Sequence, residues 1–168
     1  CQSSIGFARN MTFVEGNPGA ILLVEFFGEQ DELVSRVDAL KADMEKKHLG
    51  YACVNFTDKA AQANVWSVRK AGLGLLMSVP GSAKPIPFVE DTAVPPEKLA
   101  EFVRRFDQIV NDHGTQAGYY GHASVGCLHI RPLIDLKSSE GMDSMFSISS
   151  SISDLVLEFD GALSGEHG

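Results

Sequence analysis

The sequence predicts an α+β domain, a ferredoxin-like antiparallel sheet with helices packed on one face. Two observations carry this prediction. Short β-rich runs alternate with longer stretches whose apolar residues recur every three or four positions. The order reads β-α-β, a linker, then β-α-β, and two such units side by side give an antiparallel sheet.

Residues 20–27 (AILLVEFF) read as a buried strand, and 29–47 as an amphipathic helix through Leu33, Val34, Val37, Leu40 and Met44, with Gly50 as its C-cap. Tyr51 to Phe56 reads as the second strand. Thr57-Asp58 offers an N-cap for a helix over 58–71. After a linker from Gly72 to Pro87, residues 88–92 read as a third strand that ends at Pro95-Pro96, where prolines suit a helix start. The next helix carries Leu99, Phe102, Val103, Phe106, Ile109 and Val110 on one stripe and closes at His113-Gly114. A strand region broken by Gly121 and Gly126 follows from Thr115 to about Ile130. The last helix, about 142–160, uses Met145, Ile148, Ile152, Leu155, Val156 and Phe159. The lone Trp66 reads as core. His48 and His113 sit at helix C-termini with no catalytic role.

The chain has 168 residues and a net charge of −8, of ordinary globular composition and the length of a single domain spanning 1–168. The acidic balance argues against a nucleic-acid surface, which needs a basic footprint. No apolar run is long enough to cross a bilayer. No GxGxxG or GxxxxGK[ST] loop is present. Cys1, Cys53 and Cys127 form no CxxC pair, which points to reduced thiols and a cytoplasmic setting. The start at Cys1 and the stop inside Ser164-Gly165-Glu166-His167-Gly168 suggest an excised piece of a larger protein.

The informative stretch is Gly121-His122-Ala123-Ser124-Val125-Gly126-Cys127-Leu128-His129. A hairpin reversing about Val125-Gly126, through a tight turn that Val125 fits poorly or a four-residue loop with the same pairing, makes His122 and His129 directly opposed cross-strand partners, with Cβ atoms about 4.5–5.5 Å apart. Two such imidazoles can share a zinc-like ion, and Glu166 is the third ligand candidate, since a catalytic zinc takes three protein ligands and keeps one open position. On spacing alone, the two histidines also read as hydrogen-bonded strand residues.

GHASVGCLHIRP (121–132) followed by SGEHG (164–168) resembles the C-terminal substrate domain of FAD-linked oxidases, the D-2-hydroxyacid dehydrogenases that include D-lactate dehydrogenase, the glycolate oxidase flavin subunit and D-2-hydroxyglutarate dehydrogenase. The resemblance implies a divalent metal, usually zinc, on His122, His129 and Glu166, and a base at His167. It implies substrate carboxylate binding by Arg69 and Lys84, fifteen residues apart as in the hydroxyglutarate members. Arg131 stands where the family carries Asn and joins the substrate-binding set. That departure, together with Val125-Gly126-Cys127 in place of Asp-Gly-Asn, points to the subgroup fused to an iron–sulfur module. The implied partners are a small 2-hydroxy acid, FAD held by a separate domain of the parent chain, and an electron acceptor, with a membrane-peripheral parent also compatible. The fragment alone is expected to be inactive. The competing expectation is a non-catalytic ferredoxin-like module that binds a small ligand or dimerises.

Overall fold

The computed structural model describes Met11 and residues 13–167; Cys1 and Gly168, the two ends discussed above, lie outside the described residues. The chain divides into two compact units, Cys1–Leu73 and Gly74–Gly168.

The first unit holds α1 (Gln30–Lys46) and most of α2 (Lys59–Met77). Helix α1 ends where its periodicity predicts, but the left-handed residue that stops it is His48 (φ 54). The His48 N–H donates to the Glu45 carbonyl at 3.1 Å and the Leu49 N–H to that of Met44 at 2.9 Å, a Schellman closure. Gly50, the expected cap, lies beyond it. Asp58 caps α2 as predicted, its Oδ1 accepting from the Ala60 and Ala61 N–H groups at 3.0 and 2.9 Å.

Residues 20–27 and 51–56 are not strands. Among the described residues they take part in no ladder, and Leu22, Phe27 and Tyr51 are exposed. β-rich composition makes a segment fit for a sheet, but only a partner strand satisfies its backbone. These segments and α1 line an open, largely apolar cleft. Trp66 is not core: it is partly exposed and donates its indole N–H to Glu25 Oε1 at 2.8 Å.

The second unit is α+β, and all its strand pairs are antiparallel. Strand β4 (Cys127–Ile134) is its axis. Strand β3 (Ala117–His122) pairs along one edge, while β1 (Lys84–Pro85) and β2 (Thr92–Ala93) pair with opposite ends of the other. Helices α3 (Leu99–Asp112) and α4 (Ser139–Glu158) cover the face that carries Leu128, Ile130 and Ile134. Phe102, Phe106, Val110, Ile148, Ile152 and Val156 are buried there. Each contributes roughly 1.5–3 kcal/mol through burial. The Phe102 ring meets Phe106 and Phe159 edge-on, with centroids 5.9 and 5.5 Å apart.

Several boundaries move for identifiable reasons. Helix α2 runs through Gly72 and Gly74 to Met77, into the expected linker. Its last turn is held by tertiary contact, because Leu76 packs where a Cβ on Gly118 would stand, and the Met77 sulfur accepts from Arg131 at 3.6 Å. The expected strand 88–92 is cut by a turn at Glu90-Asp91, with Asp91 left-handed (φ 73), so pairing resumes only at Thr92. The region 115–130 is two strands, β3 and β4, divided by a loop that ends at Gly126 in keeping with the hairpin expectation, and the second reaches Ile134. The serine-rich stretch 147–153 is helical, and α4 starts three residues early because Ser138 Oγ accepts from the Gly141 N–H at 3.0 Å. No helix among the described residues is long and apolar enough to cross a membrane.

Candidate functional site

Strand alternation divides β4 into two chemistries. Leu128, Ile130 and Ile134 face the helices, while Cys127, His129 and Arg131 point the other way. The β3–β4 hairpin is closed by a four-residue loop, a short 3-10 turn over Ala123–Val125 followed by Gly126 (φ 69). The Gly126 carbonyl accepts from the Val94 N–H at 3.1 Å, which ties the loop to the chain after β2. This closure corrects the expected register. His122 pairs with Cys127 and His129 with Tyr120, because the four-residue loop runs over 123–126 with the left-handed Gly126 as its last residue, and so is centred one residue before the expected reversal point. The histidines are therefore diagonal neighbours on one face. Their rings still meet, with centroids 5.6 Å apart and planes at 89°.

Glu166 reaches both. Its Oε1 lies 3.6 Å from His122 Nε2 and its Oε2 lies 3.5 Å from His129 Nε2. His129 is buried and His122 and Glu166 are exposed, so the trio opens on solvent from one side. The His167 ring stacks over His129 with centroids 5.6 Å apart and planes at 19°, so the four residues singled out by the sequence lie together. Arg131 is nearby but engaged: its Nη2 is 2.6 Å from Glu90 Oε2. Lys84, on β1, donates to the Val79 carbonyl at 2.6 Å. Arg69 lies on α2 within the first unit.

The residue that sequence reasoning missed is Asp91. It is buried, and its carboxylate collects the Ser164 hydroxyl (2.8 Å) and the backbone N–H groups of Gly165 (3.0 Å), Glu166 (3.0 Å) and His167 (2.9 Å). Its own carbonyl accepts from the Gly165 N–H at 2.8 Å. Burial works to raise its pKa, but the N–H groups of His167 and Glu166, then the Ser164 hydroxyl and the Cys127 thiol, hold it well below the usual carboxylate range. In the sequence Asp91 reads only as a strand-end carboxylate with no assigned role, because the left-handed turn that aims it is visible only in the structure.

Three groupings bring ligand atoms close: His122, His129 and Glu166; Glu90, His129 and His167; and Asp91, Glu166 and His167. They differ in what their carboxylates are already doing. Both oxygens of Asp91 accept hydrogen bonds from the 164–167 loop. Glu90 is paired with the Arg131 cation, which disfavours a second cation beside it. Glu166 turns one carboxylate oxygen toward each of two imidazoles, at separations too long for hydrogen bonds. Two ligands about 2.1 Å from one tetrahedral ion stand about 3.4 Å apart, so the spacing fits a shared metal.

Comparison with known proteins gives the family. The family model for FAD linked oxidases, C-terminal domain, matches residues 4–168. The chain belongs to this family. It is 38% identical over 178 residues to D-2-hydroxyglutarate dehydrogenase of Haemophilus influenzae, covering 99% of this chain and 17% of that protein. D-lactate dehydrogenase of Archaeoglobus fulgidus is 32% identical over 156 residues, 92% of this chain and 31% of the relative. Glycolate oxidase subunit GlcD of Bacillus subtilis is 25% identical over 149 residues, 89% of this chain and 31% of that subunit. The chain thus spans under a third of the length of each of these relatives.

Proposed function

We propose that this chain is the substrate-side domain of an FAD-dependent D-2-hydroxyacid dehydrogenase, with a divalent metal, zinc in the first instance, held by His122, His129 and Glu166. The observation that carries the reading is the pair of 3.6 and 3.5 Å separations between the two imidazole Nε2 atoms and the two oxygens of one carboxylate. Imidazole and carboxylate suit zinc. When bound, the metal supplies a positive charge that favours the ionised form of a ligated hydroxyl.

His167 would take the hydroxyl proton of the substrate. It is exposed, and its ring lies over His129 with Nδ1 3.7 Å from Asp91 Oδ2, so the other ring nitrogen remains the one to meet a ligand. Lys84 would offer its ammonium to a substrate carboxylate by exchanging its Val79 contact, and Arg131 would add a fixed cation beside the site. Arg69 would hold a carboxylate in bidentate fashion. FAD, bound by another domain of the parent protein, would supply the hydride acceptor. The hairpin departures further favour a parent protein that carries an iron–sulfur module. D-2-hydroxyglutarate is the first substrate to assay, since four relatives at 35–38% identity carry that name.

Zinc titration of the 168-residue chain tests the metal set. One ion per chain is expected, with affinity lost in His122→Ala and in Glu166→Ala; failure of the wild-type chain to bind a divalent ion overturns the metal assignment and favours a non-catalytic binding module. The chain alone, supplied with FAD, is expected not to oxidise D-2-hydroxy acids. Measurable turnover would refute that part.

A further inference from the structure

We propose that Asp91 is the positioning residue of the site, a buried carboxylate that folds the 164–167 loop around itself and so places Glu166 and His167 before any metal or substrate arrives. The loop has little else to hold it. It follows α4 through the left-handed Asp160 and one bridge between Ala162 and Ala93, and Ala162 to His167 are all exposed. Against this stands a single acceptor group with four consecutive residues turned toward it: a hydroxyl from Ser164 and three successive N–H groups from Gly165, Glu166 and His167. Successive N–H groups converging on one anion form a nest, and here the anion is part of the protein.

The geometry leaves little alternative for the neighbouring side chains. The Asp91 N–H donates to Leu128 and its Oδ1 accepts from the Cys127 thiol at 3.5 Å, so the latch is built on the strand that presents His129. A Cβ on Gly165 would stand 3.1 Å from Ala93 Cβ and 3.2 Å from Cys127 Sγ, so the loop passes close enough that a side chain there would press these neighbours back by a few tenths of an ångström. Once three consecutive backbone N–H groups are fixed, the Cα atoms of Glu166 and His167 are fixed with them. Their side chains then start from set points, the carboxylate facing the two histidines and the imidazole over His129. Asp91 is buried and acts through the loop it holds.

In its metal half this inference rests on the proposed function, so the test has a part that does not. Amide hydrogen exchange of the metal-free chain, read by NMR, is expected to show protected Gly165, Glu166 and His167 amides in the wild type and in His122→Ala. The protection of Glu166 and His167 is expected to disappear in Asp91→Asn while the β3–β4 ladder keeps its own, and Gly165 is expected to keep part of its protection because its N–H also donates to the Asp91 carbonyl at 2.8 Å. Fast exchange of these three amides in the wild-type chain overturns the inference without any variant. Unchanged exchange in Asp91→Asn overturns it too. With Zn2+ as the probe, Asp91→Asn is expected to bind roughly 10–100-fold more weakly, as when other supporting groups of a metal site are removed. If the wild type binds no Zn2+ yet the amides behave as expected, the metal reading fails and the latch stands. If Zn2+ affinity in a folded Asp91→Asn equals that of the wild type, preorganisation of the metal site by Asp91 is refuted.

Discussion

Arg131 Nη2 lies 2.6 Å from Glu90 Oε2, and the two side chains are 10% and 15% exposed. This near-buried ion pair stands beside the histidine cluster, with Glu90 Oε1 4.0 Å from His167 Nδ1. Removing one partner strands a charge out of water. Glu90→Ala is therefore expected to destabilise the chain by about 3–5 kcal/mol, and replacing both residues by apolar ones of similar volume to recover most of that. Urea unfolding of the two single variants and the double variant measures it. Equal midpoints for wild type and Glu90→Ala would mean the pair is solvated and of little energetic weight.

Gly126 closes the hairpin that sets the histidine register. A Cβ there would stand 1.8 Å from the Val94 carbonyl oxygen, and the backbone is left-handed (φ +69). Both effects oppose any side chain. Gly126→Ala is expected to cost more than the roughly 1 kcal/mol of the left-handed penalty alone, because the β2–β4 contact must also open. The same variant should lose divalent-metal affinity by moving His122. A melting temperature equal to wild type would contradict the close approach.

Tyr119 gives the chain an alkaline limb. Its hydroxyl donates to Asp107 Oδ1 at 2.9 Å, and burial, followed by that bond and the Asp107 charge, holds the phenol well above its ordinary range. A folded-state pKa above the unfolded value means the unfolded chain gives up its proton first. The contribution is full below about pH 10 and is lost as pH rises from there toward the folded value. Tyr119→Phe should flatten the fall in melting temperature above that pH. An identical alkaline profile in the variant would show that the phenol does not titrate differently on folding.

Cys127 is a poor nucleophile by placement. Burial first, then its bond to Asp91 and the nearby Glu166 and Asp91 charges, push the thiol up to about 11. Cys53 is exposed. Brief alkylation at neutral pH followed by peptide mapping should find label on Cys53 and none on Cys127. Rapid labelling of Cys127 in folded protein would mean that the face carrying Asp91 and His129 is open.

Periodic elements were the most legible part of the fold. The α3 stripe from Leu99 to Val110 follows from residues three and four apart sharing a face, a local property of the chain. The segments 20–27 and 51–56 were legible only as sheet-compatible, since a strand is completed by a partner distant in sequence. The His122–His129 encounter was read correctly as a shared face and wrongly as direct opposition. Parity follows from alternation, whereas register depends on a loop whose conformation is fixed by a bond to Val94. The role of Asp91 was illegible for the same reason: the loop donors it gathers lie more than seventy residues away.

By itself the sequence determined the helical stripes and the α+β class, and it singled out His122, His129, Glu166 and His167. The tertiary structure decided which of them share a point in space. It set the hairpin register through Gly126, engaged Arg131 with Glu90, and gathered the 164–167 loop onto Asp91. Side-chain chemistry and periodicity are local and can be read along the chain. A buried carboxylate finds its donors only when distant backbone is brought to it, and that depends on the packing of the whole unit.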